Sequence, residues 1–236
     1  MKSWSYKPSR DLDLKGMDRL SSPLRERGLL GAITQGLFLS TSRVFLTLYH
    51  RLSVQGRSSL PAKGPVVIVA NHTSHLDAVV ILASLPASLR AVARPVSAAD
   101  MFFRSLPRAG LASLFIDALA IHRTGVGRHE LGQLRTRLEE DGCCLVVFPE
   151  GTRSRSGELG RFRHGVGVMV AGSSVPVIPC YISGAHEALP PGMFWPRPKK
   201  ITLKFGEPVY FKAEPHGRDG WRAVARRLEI AVSAIL

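Results

Sequence analysis

Val66-Val67-Ile68-Val69-Ala70, then Asn71-His72-Thr73-Ser74-His75-Leu76-Asp77, then Ala78-Val79-Val80-Ile81-Leu82-Ala83-Ser84-Leu85 is the stretch whose reading decides the fold. A polar heptapeptide between two apolar runs, the second closed by Pro86, reads as strand, turn and helix. Residues five apart on a straight helix differ by about 140° in azimuth. His72 and Asp77 therefore meet only if His72 lies in the turn and Asp77 in the first helical turn. In that arrangement the carboxylate holds one imidazole nitrogen and leaves the other free to take a proton. The other reading makes Asp77 a helix N-terminal residue favoured by the macrodipole and His72 an ordinary loop residue. The spacing alone leaves both standing.

Outward from this stretch, strand and helix patterns alternate. Ala91-Val92-Ala93 is expected as a short strand before Pro95, and Ala118 to Ile121 as another strand. His129 to Glu140 is expected as a helix with Leu131, Leu134 and Leu138 on one face. Cys143 to Phe148 reads as a buried strand, Gly165 to Ala171 as helical, Val175 to Ser183 and Ile201 to Phe205 as strands, and Trp221 to Leu236 as an amphipathic helix. This alternation predicts an α/β fold, a mainly parallel central sheet flanked by helices.

The chain has 236 residues and a formal charge of +14, which suits a single domain with an anionic partner: lipid surface, acidic carrier protein, phosphorylated substrate or nucleic acid. Cys143, Cys144 and Cys180 form neither a zinc-binding spacing nor a disulfide framework, and a reducing compartment is expected. Residues 1–28 are polar and charged without an apolar core segment, so they read as a flexible basic arm rather than a secretory signal. Residues 29–56 are expected to be an amphipathic membrane-associated helix, and residues 57–236 the main domain that carries the heptapeptide. From Leu29 to Leu52 the longest uncharged run, Gly28 to Ser42, is 15 residues, short of the roughly 20 that a spanning helix needs. Leu30, Ile33, Leu37, Val44 and Leu48 recur at helical spacing. That row fits a helix lying in a membrane interface or one packed on the domain's own core.

A second polar knot follows the strand at Cys143: Phe148-Pro149-Glu150-Gly151-Thr152-Arg153-Ser154. Open α/β sheets bind ligands at the carboxyl ends of their strands. There a guanidinium grips phosphate bidentately, Thr152 donates, and Gly151 lets the backbone approach.

Together the two knots resemble the glycerolipid acyltransferases with a His-x-x-x-x-Asp motif, the family that includes 1-acylglycerol-3-phosphate acyltransferases. The first motif is Asn71-His72-x-Ser74-x-x-Asp77 and the third is Phe148 to Ser154. The second matches Ile121-His122-Arg123, and the fourth matches Val175-Pro176-Val177-Ile178-Pro179. Order and intervals agree over roughly residues 60 to 210. The resemblance implies transfer of a fatty acyl group from acyl-CoA or acyl carrier protein to the free hydroxyl of a lysophospholipid, foremost 1-acylglycerol-3-phosphate. His72 would be the general base, Asp77 its orienting carboxylate, and Arg123, Glu150, Gly151, Thr152 and Arg153 the glycerophosphate-binding residues. The acceptor hydroxyl is then the nucleophile, which accounts for a chain without a Gly-x-Ser-x-Gly elbow. No cofactor and no metal are expected, the thioester being a co-substrate. The expected location is the cytoplasmic face of a membrane, peripheral or monotopic, with the phospholipid surface as a partner and nucleic acid excluded.

Two departures bear on the acceptor. His122 stands where the family often has aspartate, and Phe162-Arg163-His164-Gly165 stands where Phe-Lys-x-Gly is common. The first keeps another acceptor open, such as a lyso-aminolipid or other alcohol. A non-catalytic basic membrane-binding protein is the reading from a different class. Candidate docking surfaces are Leu29 to Leu52, Met101 to Arg104, and Met193-Phe194-Trp195-Pro196-Arg197-Pro198-Lys199-Lys200, which mixes aromatics with cations.

Overall fold

The computed structural model describes residues 9–99, 105–121 and 127–236; the Met101 to Arg104 candidate lies outside them. In chain order the elements are α1 (Gly16–Ser21), α2 (Leu29–Tyr49), β1 (Ser53–Gln55), β2 (Val66–Ala70), α3 (Asp77–Ser84), α4 (Ala87–Arg90), β3 (Ala93–Ala98), α5 (Leu106–Ile116) and β4 (Leu119–Ile121). There follow α6 (Gly127–Asp141), β5 (Cys144–Val147), α7 (Gly165–Val170), β6 (Val177–Ser183), α8 (Ala185–Ala188), β7 (Thr202–Phe205) and α9 (Arg218–Ser233).

Seven strands form one sheet in the order β1-β7-β6-β2-β5-β3-β4, parallel throughout except where β6 meets β7. β2 lies at its centre, with Val67 opposite Leu145 on one side and Val177 on the other. All five β2 residues are buried, as expected of a strand covered on both faces. Val66, Ile68 and Ala70 join the core beneath α2 and α3. Val67 and Val69 join the core beneath α6, α7 and α9. The turns after β2 and β5 therefore leave the same edge of the sheet side by side.

β3 departs from expectation by running through Pro95 to Ala98. Residues 93–95 pair with β5 and residues 96–98 with β4, so Pro95 sits where the ladder changes sides. A residue without an N–H is tolerated at such a break.

Residues 9–28 are not a free arm. Asp11 is 1% exposed, accepts from Arg19 Nε at 2.9 Å and caps the Glu26 N–H at 3.2 Å. Arg25 donates to Asp117 at 2.6 Å, to Leu20 O and Ala118 O at 3.0 Å, and to the Ser113 hydroxyl. Arg94 reaches the same carboxylate at 3.0 Å and Arg27 at 3.9 Å. A polar, cationic segment is thus docked because a buried anion on the domain neutralises it. Burial pulls the Arg25 guanidinium below the usual arginine range, and the Asp117 charge opposes that shift.

α2 lies along the domain on Leu39, Leu46 and Gln35, with Phe38 against Phe115 at 5.0 Å and Arg43 donating to Ser84 Oγ at 3.0 Å. The apolar row read from the sequence points the other way: Leu30, Ile33, Leu37, Val44 and Leu48 are each at least 58% exposed. By length and composition this 21-residue helix is able to cross a membrane. Its far end is tied down where Tyr49 Oη donates to Pro196 O at 3.0 Å and the buried His50 bonds Lys199 O at 3.1 Å.

Asp117→Asn leaves Arg25 buried against an amide, and breaking a buried pair costs about 3–5 kcal/mol. Urea denaturation of the variant should show a loss of that size; a loss under about 1 kcal/mol would contradict the role given to this carboxylate.

Candidate active site

β2 ends at Ala70, and the side chain of Asn71 carries its ladder one step further. Its amide donates to Ile182 O at 2.9 Å and accepts the Ile182 N–H at 2.8 Å, pinning the start of the turn to β6. Ser74 completes the turn from below, donating to Leu189 O and accepting the Leu76 N–H. Asp77 is then the first residue of α3, fully buried. Its Oδ2 accepts the N–H groups of Thr73 at 2.6 Å and Ser74 at 2.8 Å, and faces His72 Nδ1 at 2.8 Å. Both readings of Asp77 hold: it is an N-terminal helix residue and it holds the imidazole. A carboxylate only accepts, so Nδ1 carries the hydrogen and Nε2 is left with its lone pair. The His72 ring, 15% exposed, lies on Phe148 at 4.3 Å between centroids and 22° between planes.

Phe148 opens the loop after β5. Gly151 turns this loop with φ +74°, its N–H donating to Phe148 O at 3.1 Å. A side chain there would be strained. Glu150 points inward and is 8% exposed: Oε1 accepts the His72 N–H at 2.7 Å and Oε2 the Gly160 N–H at 3.1 Å. Burial raises its carboxyl above the ordinary range, and those two N–H donors oppose the rise. Ser154 N–H in turn donates to His72 O at 2.8 Å. Arg163, the family's lysine position, closes the loop, with Nε 3.2 Å from Glu150 O and its own N–H on Pro149 O at 2.9 Å.

Thr152 is exposed and Arg153 partly buried. Arg153 Nη1 is buried without a hydrogen-bond partner among the described residues. Burial draws this guanidinium below the usual arginine range, and the charge of Asp77 opposes the shift. A cationic donor without an acceptor, close enough to feel the carboxylate of the base pair, marks where an anion would complete the site.

The structure thus brings His72, Asp77, Glu150, Gly151, Thr152 and Arg153 together at one end of the sheet. Arg123 and its neighbour His122 lie outside the described residues; β4 ends at Ile121, just before them. The three cysteines are buried, and burial raises their thiols, Cys143 to about 11 and Cys144 and Cys180 further. Such thiols stay protonated and serve as core. Reading the sequence missed the strap through Glu150 and the ring platform of Phe148. Only the aromatic type of Phe148 offered a signal, since Glu150's partners are backbone groups.

A family model described as Acyltransferase matches residues 51–183, more than half of the chain. The chain belongs to the Acyltransferase family. Among curated relatives, a chloroplastic 1-acyl-sn-glycerol-3-phosphate acyltransferase of Brassica napus is 31% identical over 147 residues, 61% of this chain and 40% of that one. The alpha 1-acyl-sn-glycerol-3-phosphate acyltransferase of Homo sapiens is 30% identical over 139 residues, 58% of this chain and 46% of its own. The chain thus spans less than half the length of either relative. A crystal structure of the 1-acyl-sn-glycerophosphate acyltransferase of Thermotoga maritima superposes with a TM-score of 0.65 at 24% identity, over 86% of this chain and 78% of that one. That likeness confirms the α/β fold of this Acyltransferase member.

Asp77→Asn changes the group that orients the ring while keeping its size. Turnover of whatever acceptor the wild type uses should fall by about 10²–10⁴, the usual worth of a positioned base; a fall under threefold would detach Asp77 from the chemistry.

Proposed function

We propose that this protein transfers a fatty acyl group from an acyl thioester to the free hydroxyl of 1-acylglycerol-3-phosphate, giving phosphatidic acid. The observation that carries this reading is the pairing of a held imidazole, His72 on Asp77 at 2.8 Å, with the buried, unpartnered Nη1 of Arg153 on the adjoining loop. The names of the relatives in Brassica napus and Homo sapiens support the choice of acceptor.

In this mechanism the acceptor oxygen attacks the thioester carbonyl carbon while His72 Nε2 takes its proton. The new C–O bond forms, the tetrahedral intermediate collapses with cleavage of the C–S bond, and the imidazolium returns the proton to the leaving thiolate. Asp77 holds the ring in one tautomer and steadies its cationic form. Arg153, with Arg123 from the second motif, grips the acceptor phosphate so that the hydroxyl falls near Nε2. Phe148 supports the ring from behind. Either acyl-CoA or acyl carrier protein serves this chemistry as donor.

A lipid acceptor calls for a membrane surface. The bare face of α2, with Phe194 at 93% and Trp195 at 83% exposure beside its tied end, supplies an apolar contact. Arg197, Lys199 and Lys200, all exposed, add cations that favour anionic lipid. α2 is held to the domain along Leu39 and Leu46, which favours a helix lying in the interface over one crossing it. We place the protein on the cytoplasmic face of its membrane.

Thiol release from acyl-CoA and from acyl carrier protein, measured over a panel of lyso-acceptors, tests the reading. Release should require 1-acylglycerol-3-phosphate and drop at least about 10²-fold in His72→Ala, while Arg153→Ala should raise the acceptor KM far more than the donor KM. Equal release by wild type and His72→Ala would remove the base. Preference for a larger or uncharged headgroup would shift the reading to another lyso-lipid, the alternative that His122 keeps open.

A further inference from the structure

Among the third-motif residues Glu150 stands apart, because its charge has the same sign as the phosphate that its loop holds in the proposed reaction. A carboxylate turned toward a phosphate would repel it. Glu150 is turned the other way. Its carboxylate is 8% exposed, and each oxygen already holds a backbone N–H, His72 at 2.7 Å and Gly160 at 3.1 Å. What it joins is informative. Both the N–H and the C=O of His72 are taken by the third-motif loop, the N–H by Glu150 and the C=O by the Ser154 N–H at 2.8 Å. Its ring rests on Phe148, from the same loop. At the other end of the carboxylate, Gly160 comes so close that an added Cβ would lie 2.7 Å from Oε2. The approach of this backbone to this side chain is therefore built in.

We propose that Glu150 is a positioning residue that straps the backbone of the base to the arginine loop, so that the loop gripping the acceptor and the imidazole activating it move as one body. Resting on the acyl-transfer reading, it makes Glu150 an organiser of the reaction geometry and leaves ligand contact to Thr152 and Arg153. In Glu150→Gln one of the two acceptors becomes an NH2 group facing an N–H, so one strap is lost with shape conserved. Gly160→Ala presses on the carboxylate from the other side without altering any charge near the acceptor.

Steady-state kinetics with the acceptor varied at saturating donor separates the roles. A group that contacts the acceptor in ground and transition states alike acts on KM, and one that places the base acts on kcat. Displacements of about 1 Å can cost about 10² in rate. Both Glu150→Gln and Gly160→Ala should lower kcat by about 10- to 100-fold with acceptor KM moved less than about threefold. A KM increase equal to or larger than the kcat loss in Glu150→Gln, or an unchanged kcat in Gly160→Ala, would overturn the proposal. An NMR readout needs no turnover: the His72 imidazole signals of the full chain should shift or broaden in both variants, and ring signals identical to wild type would overturn it equally. A wild type inert toward every acceptor would sink the acyl-transfer reading instead, with the imidazole signals still deciding the role of Glu150.

Discussion

One oxygen atom organises the first motif. Asp77 Oδ2 gathers two backbone N–H groups and an imidazole nitrogen within 2.8 Å, and this convergence shapes the turn between β2 and α3. A carboxylate sunk completely in the protein is stable only when such donors surround it. The same donors fold the chain back so that a residue five positions earlier meets it. Local folding and the placement of the His72 ring are thus served by one set of bonds. Asn71 fastens the beginning of the turn to β6 and Ser74 its underside to Leu189, so the ring is fixed from three directions before any substrate arrives.

The second motif to matter structurally is the loop after β5, and its position beside the first follows from sheet order. β2 and β5 are parallel neighbours in register, Val69 opposite Val147, so the residues after them emerge together. Each strand set between β2 and β5 would move His72 and Arg153 about 4.8 Å further apart along the same rim. His72 and Glu150, 78 positions apart in sequence, are bridged by the bond from the His72 N–H to the Glu150 carboxylate, with the Ser154 N–H on His72 O and the contact of the ring with Phe148 beside it.

The central part of this architecture was legible in the residues. Val66 to Ala70 and Asp77 to Ser84 are patterned by hydrophobicity alone, and the His72–Asp77 pair follows from where strand gives way to helix. What stayed hidden depends on partners distant in sequence. Pro95 looked like a strand end because the change of neighbour from β5 to β4 is a tertiary event. Arg25 looked like part of a loose arm because its counter-ion, Asp117, comes 92 residues later. The bonds of Glu150 to the His72 and Gly160 N–H groups stayed hidden because a side chain's backbone partners leave no trace in composition or spacing. The exposed row of α2 was visible, but which of its two sides faced the domain was decided by Leu39 and Leu46.

α2 is anchored at both ends. Just before it starts, Arg25 and Arg27 share the Asp117 carboxylate, and where it stops Tyr49 and His50 bond to the segment around Pro196 and Lys199. A beam supported at both ends resists pitch and roll alike. Its oily face therefore has one fixed altitude relative to the turn that carries His72. Under the proposed acyl transfer, with that face laid on lipid, the distance from the bilayer plane to His72 becomes a constant of the fold, and a lyso-lipid would have to rise by that same distance to bring its hydroxyl to the imidazole.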